Sequence, residues 1–127
     1  MIQLLKQNHS NFLSIPYADS SFDFVVTSFA FHYLTDEQKL LALGEMRRVL
    51  KPHGRICITD IMFENKQKQA EYAENLKSNG QSTTIELIEN GHPAILTNIL
   101  DWFEQNQYIT KHRQVNKLFH IVYAVPI

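Results

Sequence analysis

His32 is the residue of this chain best suited to move a proton. An imidazole titrates near pH 6.5, so at neutral pH it can take a proton from an oxygen or nitrogen nucleophile. The ring stands in the run Ser-Phe-Ala-Phe-His-Tyr-Leu, Ser28 to Leu34, and Asp60 closes a second run, Gly-Arg-Ile-Cys-Ile-Thr-Asp. Either Tyr33 or Asp60 could orient the imidazole. The competing reading is that His32 is a partly buried ring packing its loop. The other histidines, His9, His53, His92, His112 and His120, have no metal-ligand spacing with acids or cysteines. No Ser-His-Asp signature and no phosphate loop occurs. The single Cys57 lies in a run that reads as a buried strand, where a lone thiol behaves as a small hydrophobe.

The elements that must position these residues alternate between short apolar runs and longer amphipathic ones, the pattern of an α/β layer fold. Ile2 to Leu5 is an ambiguous apolar fragment, and residues 15 to 21 are rich in turn formers. Phe22 to Ser28 has a continuous apolar core, as parallel strands covered on both faces do. Thr35-Asp36-Glu37-Gln38 forms a capping box, and a helix follows with Leu40, Leu43, Met46, Val49 and Leu50 on one face until Pro52 ends it. His53-Gly54 turns into the strand that ends at Asp60. Residues 64 to 81 make a solvated helix stopped at Gly80. His92-Pro93 places proline at a first helical position, followed by the apolar stripe Ile95, Leu96, Ile99, Trp102 and Phe103. Two closing strands, 108 to 115 and 118 to 124, are joined by a two-residue hairpin at Asn116-Lys117.

Composition bounds the function. The 127 residues are 44% hydrophobic and 20% charged with a net charge of −1, as in one globular domain with no basic footprint for nucleic acid. The first ten residues are not a signal peptide, and no segment is long and apolar enough to span a bilayer, so a cytoplasmic location without membrane contact is the expectation. In open α/β sheets ligands bind at the carboxyl ends of strands. That edge holds Ser28, Phe29, His32, Tyr33 and Asp60, whereas Asp23 sits at the amino end of its strand and takes a structural role.

The order Asn-Phe-Leu-Ser-Ile-Pro-Tyr, Ser-Phe-Asp-Phe-Val-Val-Thr-Ser, Phe-His-Tyr-Leu, Met-Arg-Arg-Val-Leu-Lys-Pro-His-Gly-Arg-Ile-Cys-Ile-Thr-Asp resembles the middle of a class I S-adenosylmethionine-dependent methyltransferase. The finer run is similar to small bacterial methyltransferases of undefined substrate. The resemblance implies an incomplete Rossmann-like sheet, mostly parallel with an antiparallel closing hairpin, flanked by helices. It also implies a single truncated methyltransferase-like domain over 1–127, because the glycines, Gly44, Gly54, Gly80 and Gly91, lie too far apart to form the family's glycine-rich loop. By the same likeness Asn11 stands where an acid contacts the adenine amino group, Phe12 near the adenine ring, Ser28 and Phe29 beside the methionine part of the cofactor, and His32 and Tyr33 toward the substrate. The expected activity is methyl transfer to a small molecule, with a non-catalytic binding or self-associating module as the alternative. A nicotinamide-dependent Rossmann fragment fits poorly, since its own fingerprint is missing and the closing hairpin does not suit it.

Loss of the glycine cradle and of the acidic ribose ligand, at about 1.5–3 kcal/mol for each charged hydrogen bond, implies cofactor affinity near millimolar or weaker. The family's strand order, three, two, one, four, five, seven, six, leaves strand 22–28 as an exposed edge. Homodimerisation, or completion by a separate amino-terminal half, is expected through it.

Overall fold

The computed structural model describes residues 2–5, 13–80 and 91–127. Its sheet runs in the order β1 (Ile2–Leu5), β2 (Phe22–Ser28), β3 (Leu50–Phe63), β6 (Phe119–Pro126), β5 (Tyr108–Gln114), and the short β4 (Ala94–Ile95) pairs with the far end of β3. The β1–β2 and β2–β3 pairs are parallel, while β3–β6 and β5–β6 are antiparallel. This is the mixed α/β sheet with an antiparallel closing hairpin that the sequence implies.

Strand 22–28 is not an edge. Ile2 to Leu5 pair with it in register from Ile2↔Phe24 to Leu5↔Thr27. The association expected through an exposed 22–28 strand therefore loses its basis, because that strand's backbone donors and acceptors are already answered on both sides.

The capping box forms as read. Thr35 accepts from the Gln38 amide, the Gln38 side chain accepts from the Thr35 amide, and α1 follows over Asp36–Val49. Its buried face, however, is Lys39, Ala42, Leu43, Met46 and Val49, and Leu40 is exposed. The apolar stripe is thus rotated, with a lysine inside and a leucine outside.

No break separates the helix from the next strand, because β3 begins at Leu50 itself. Pairing shifts between Phe22↔Leu50 and Phe24↔Arg55, so β3 bulges through residues 51 to 54. Gly54 is needed there for space: a Cβ would meet Leu50 Cδ2 at 2.7 Å. His53 does not adopt positive φ. Its Nε2 lies 3.1 Å from Asp23 Oδ1, which Lys51 also approaches at 3.6 Å, so Asp23 ties the amino ends of β2 and β3 together. The structural role read for Asp23 holds.

Helix α2 (Lys66–Ser78) is capped by the Asn65 side chain and stops at Asn79 before Gly80, whose φ of +69° suits glycine. Pro93 does not open the next helix. Residues 94 and 95 join the sheet first, and α3 (Leu96–Gln105) starts with Ile95 as its cap residue. The closing turn is one residue longer than expected, because Val115 donates to the Phe119 carbonyl and leaves 116–118 as the loop. Asn116 Oδ1 accepts from the Leu118 and Phe119 amides, which makes it an Asx turn.

The main core lies on the face of the sheet covered by α1 and α3, with Val25, Ile56, Ile58, Met62, Val122 and Ala124 meeting Leu43, Met46, Ile99 and Phe103. A smaller cluster of Ile61, Phe63 and Leu76 seats α2 on the opposite face. Burial pushes the Cys57 thiol up in pKa, in keeping with its reading as a small hydrophobe.

Candidate functional site

At the carboxyl end of β2 the chain turns sharply. Phe29 has φ of +58°, uncommon for a bulky residue, and such strain costs about 1–3 kcal/mol and collects at functional sites. The turn is held by the Phe29 amide donating to the Thr59 carbonyl at 2.9 Å and by an edge contact between the Phe29 and Phe119 rings. The ring itself remains half exposed.

The next residues form a 3-10 turn over Phe31–Tyr33, seated on the Asp60 side chain. Asp60 Oδ2 accepts from the Phe31 amide at 2.5 Å, and Oδ1 accepts from the Ile61 amide at 2.8 Å. His32 Nδ1 lies 2.6 Å from the same Oδ1. Asp60 is fully buried and His32 nearly so. A carboxylate only accepts, so Nδ1 carries the proton and Nε2 presents a lone pair. That Nε2 is buried with no hydrogen-bond partner among the described residues. Beside it the half-exposed Tyr33 ring sits tilted, 4.2 Å away by centroid. Of the two residues suggested for orienting His32, the structure brings Asp60 onto the ring nitrogen, and Tyr33 flanks the ring face.

The four described site residues, Ser28, Phe29, His32 and Tyr33, thus share one end of the sheet with Asp60, Phe29 bonded to Thr59 and His32 to Asp60 itself. Asn11 and Phe12 lie outside the described residues. The loop that follows them is clamped to α1. Arg48 donates to the Ile15 and Tyr17 carbonyls at 2.8 and 2.9 Å and to Asp19 at 2.7 Å, while Glu45 accepts from the Ile15 amide. The Arg48–Glu45 bond at 2.6 Å holds the Glu45 carboxyl below the usual carboxylate range.

Sequence reasoning missed Lys39. Its ammonium is 2% exposed and donates to the carbonyls of Leu34 and His92. The His92 amide in turn donates to the His32 carbonyl at 2.7 Å, so Lys39 braces both sides of the turn that carries His32. Burial pulls its pKa down from 10.5 to about 8, opposed by Asp36 and then Asp60. The neutral amine keeps two N–H bonds, enough for both carbonyls. Between pH 8 and 10.5 the unfolded chain binds the Lys39 proton and the folded chain does not, so folding stability rises with pH across that window. At about 1.4 kcal/mol per unit, the gain is at most about 3.5 kcal/mol. Urea unfolding from pH 7.5 to 10 should therefore show wild type gaining stability relative to Lys39→Met. Parallel pH profiles for the two would mean that Lys39 titrates normally.

A family model described as a methyltransferase domain matches residues 2–58. An uncharacterized methyltransferase of Alkaliphilus oremlandii is 32% identical over 114 residues, covering 90% of this chain and 52% of that protein. One of Oceanobacillus iheyensis is 28% identical over 114 residues, with 90% and 54% covered. The chain spans about half the length of the curated relatives it matches. Among solved structures, a SAM-dependent methyltransferase from Aquifex aeolicus shares the fold at TM-score 0.55 and 22% identity, covering 97% of this chain and 54% of that one. The PH0226 protein from Pyrococcus horikoshii does so at TM-score 0.65 and 15% identity, with 91% and 57% covered. Among the described residues no helix is long and apolar enough to cross a membrane. Motif order, sheet topology, family model and relatives agree in what this chain is similar to, the class I S-adenosylmethionine-dependent methyltransferases.

Proposed function

We propose that this chain forms the acceptor side of a methyltransferase site, with His32 as the base that takes a proton from an oxygen or nitrogen of a small-molecule acceptor. The observation that carries this reading is the buried His32–Asp60 pair, with Nδ1 held and Nε2 without a hydrogen-bond partner among the described residues. Asp60 fixes the tautomer and the ring plane, and the carbonyl of His32 is fixed in turn by the His92 amide. An acceptor hydroxyl or amine that reached Nε2 would donate to it and be oriented as it lost its proton. Bound S-adenosylmethionine would supply the electrophilic methyl group.

The described residues fit that cofactor only in part. Ser28 and the turned, half-exposed Phe29 offer an edge and an apolar face at the strand end. The described glycines do not cluster: Gly44 is within α1, Gly54 is in the bulge at the other end of β3, Gly80 follows α2, and Gly91 stands alone before His92, whose amide donates to the His32 carbonyl. With that partial fit, affinity of the chain alone for the cofactor is expected near millimolar or weaker. The same partial fit favours, as a second reading, a non-catalytic module that keeps the fold without turnover.

Titration of S-adenosylhomocysteine into the purified chain, followed by calorimetry and amide NMR, tests the reading. Shifts at Ser28 and Phe29 with a dissociation constant near 1 mM are expected. A folded sample with no shift up to about 10 mM ligand would remove the cofactor assignment and leave the binding-module reading.

A further inference from the structure

The two faces of the sheet are covered unequally. On the side of α1 and α3, Val25, Ile56, Val122 and Ala124 are fully buried. On the other side the cross-strand partners Val26, Cys57, Tyr123 and Lys111 form an open row, the first three partly exposed and Lys111 exposed. Toward the amino end of β3 stand the pairs Phe24–Arg55 and Ile109–Val125, with Ile109 60% exposed, and toward its carboxyl end Thr59–Ile121. The Phe24 and Tyr123 rings, 6.3 Å apart by centroid, share this face across β3. Among the described helices α2 alone reaches it, at Ile61 and Phe63 beyond the last of these rows. Strands paired in parallel, as β1, β2 and β3 are, normally have both faces covered.

The dimensions of this open patch select its occupant. Four strands at about 4.8 Å and three rows at about 6.8 Å make it roughly 19 Å by 20 Å. One helix, about 10 Å across, covers half that width, whereas a second sheet packed about 10 Å away covers all of it. The middle of the patch is uncharged. Its cations stand toward the rim, Lys111 and Arg113 on the outer strand β5 and Arg55 at the amino end, donating to the Tyr123 hydroxyl at 2.7 Å. Such side chains keep their charge in water while their stems pack. A flat apolar middle inside a polar rim is complementary to itself under a two-fold axis. Each copy would cover about 400 Å² of the other in plan, the scale of a weak, reversible dimer. Because α2 stands on one end of the patch, the sheets must stack with strands running oppositely, each α2 clearing the amino end of the other copy.

We propose that two copies of this chain stack by this open sheet face, with Cys57 near the centre of the contact. The contact is independent of the methyl-transfer reading and uses none of its residues. Its test is sedimentation equilibrium of the full chain, together with the rate at which a maleimide alkylates Cys57, the single cysteine. A dimer with a dissociation constant of about 10–100 μM is expected, and Cys57 should react about fivefold or more slowly at about 1 mM chain than at about 1 μM. Added salt should tighten the dimer by screening the like-charged rims. Ile109→Lys, at an exposed position on this face, should weaken it about tenfold or more, while Leu41→Lys on exposed α1 surface should leave it unchanged. A chain that stays monomeric up to about 1 mM, or a dimer indifferent to Ile109→Lys, would overturn the assignment. Equal protection of Cys57 at every dilution would also overturn it, because the face would then be covered from within one chain.

Discussion

Asp60→Asn should destabilise the fold almost as much as Asp60→Ala, despite the near identity of shape. Both oxygens of Asp60 act as acceptors, Oδ2 from the Phe31 amide and Oδ1 from the Ile61 amide and His32 Nδ1. An asparagine has one oxygen, so whichever way it turns, its NH2 meets a backbone N–H or the protonated ring nitrogen. Alanine leaves all three donors without a partner in a fully buried position. At about 1–3 kcal/mol for each buried donor left unsatisfied, alanine should cost about 3–5 kcal/mol and asparagine about 2–4. Urea unfolding near neutral pH measures this directly. A loss below about 1 kcal/mol for Asp60→Asn would mean that the turn at 31 to 33 is held by apolar packing alone. In that case the oriented imidazole would lose its physical basis.

What the sequence made legible was whatever depends on local pattern. The capping box at Thr35 and Gln38, the stop at Gly80, the strand cores and the placing of His32 and Asp60 at one sheet edge all follow from residue spacing and the rule that ligands gather at strand carboxyl ends. What it hid depends on partners distant in sequence. Lys39 is a helix-surface residue by composition, and the carbonyl of His92, which packing brings beside that of Leu34, completes the pair of acceptors that makes burial tolerable. The same rotation exposes Leu40, so a stripe counted at three and four residue steps pointed to the wrong residue. His120 could have been found. It shares the buried parity of β6 with Val122 and Ala124, and a histidine on the inward side of an alternating strand stands out. The pairing of Ile2–Leu5 with strand 22–28 could not, because Ile2-Gln3-Leu4-Leu5 is too short a run to carry register information of its own.

His32→Asn should leave the fold standing and remove most of the turnover. Asparagine Nδ2 occupies nearly the position of imidazole Nδ1, so the N–H bond to Asp60 is kept while the atom corresponding to Nε2 is deleted. The expected consequence is a fall in methyl transfer of roughly 100- to 10,000-fold, the range a positioned base contributes, with S-adenosylhomocysteine affinity unchanged. The assay presents S-adenosylmethionine at millimolar concentration with a panel of small hydroxyl, amine and thiol acceptors and follows the transferred methyl group. The panel separates chemistry from structure. A hydroxyl or ammonium acceptor must lose a proton and needs the base, whereas a thiol already partly ionised near neutral pH needs it far less. Loss confined to the oxygen and nitrogen acceptors would therefore mark proton removal at Nε2. An equal loss for all three, accompanied by a drop in unfolding midpoint, would return His32 to the packing role that its burial also allows.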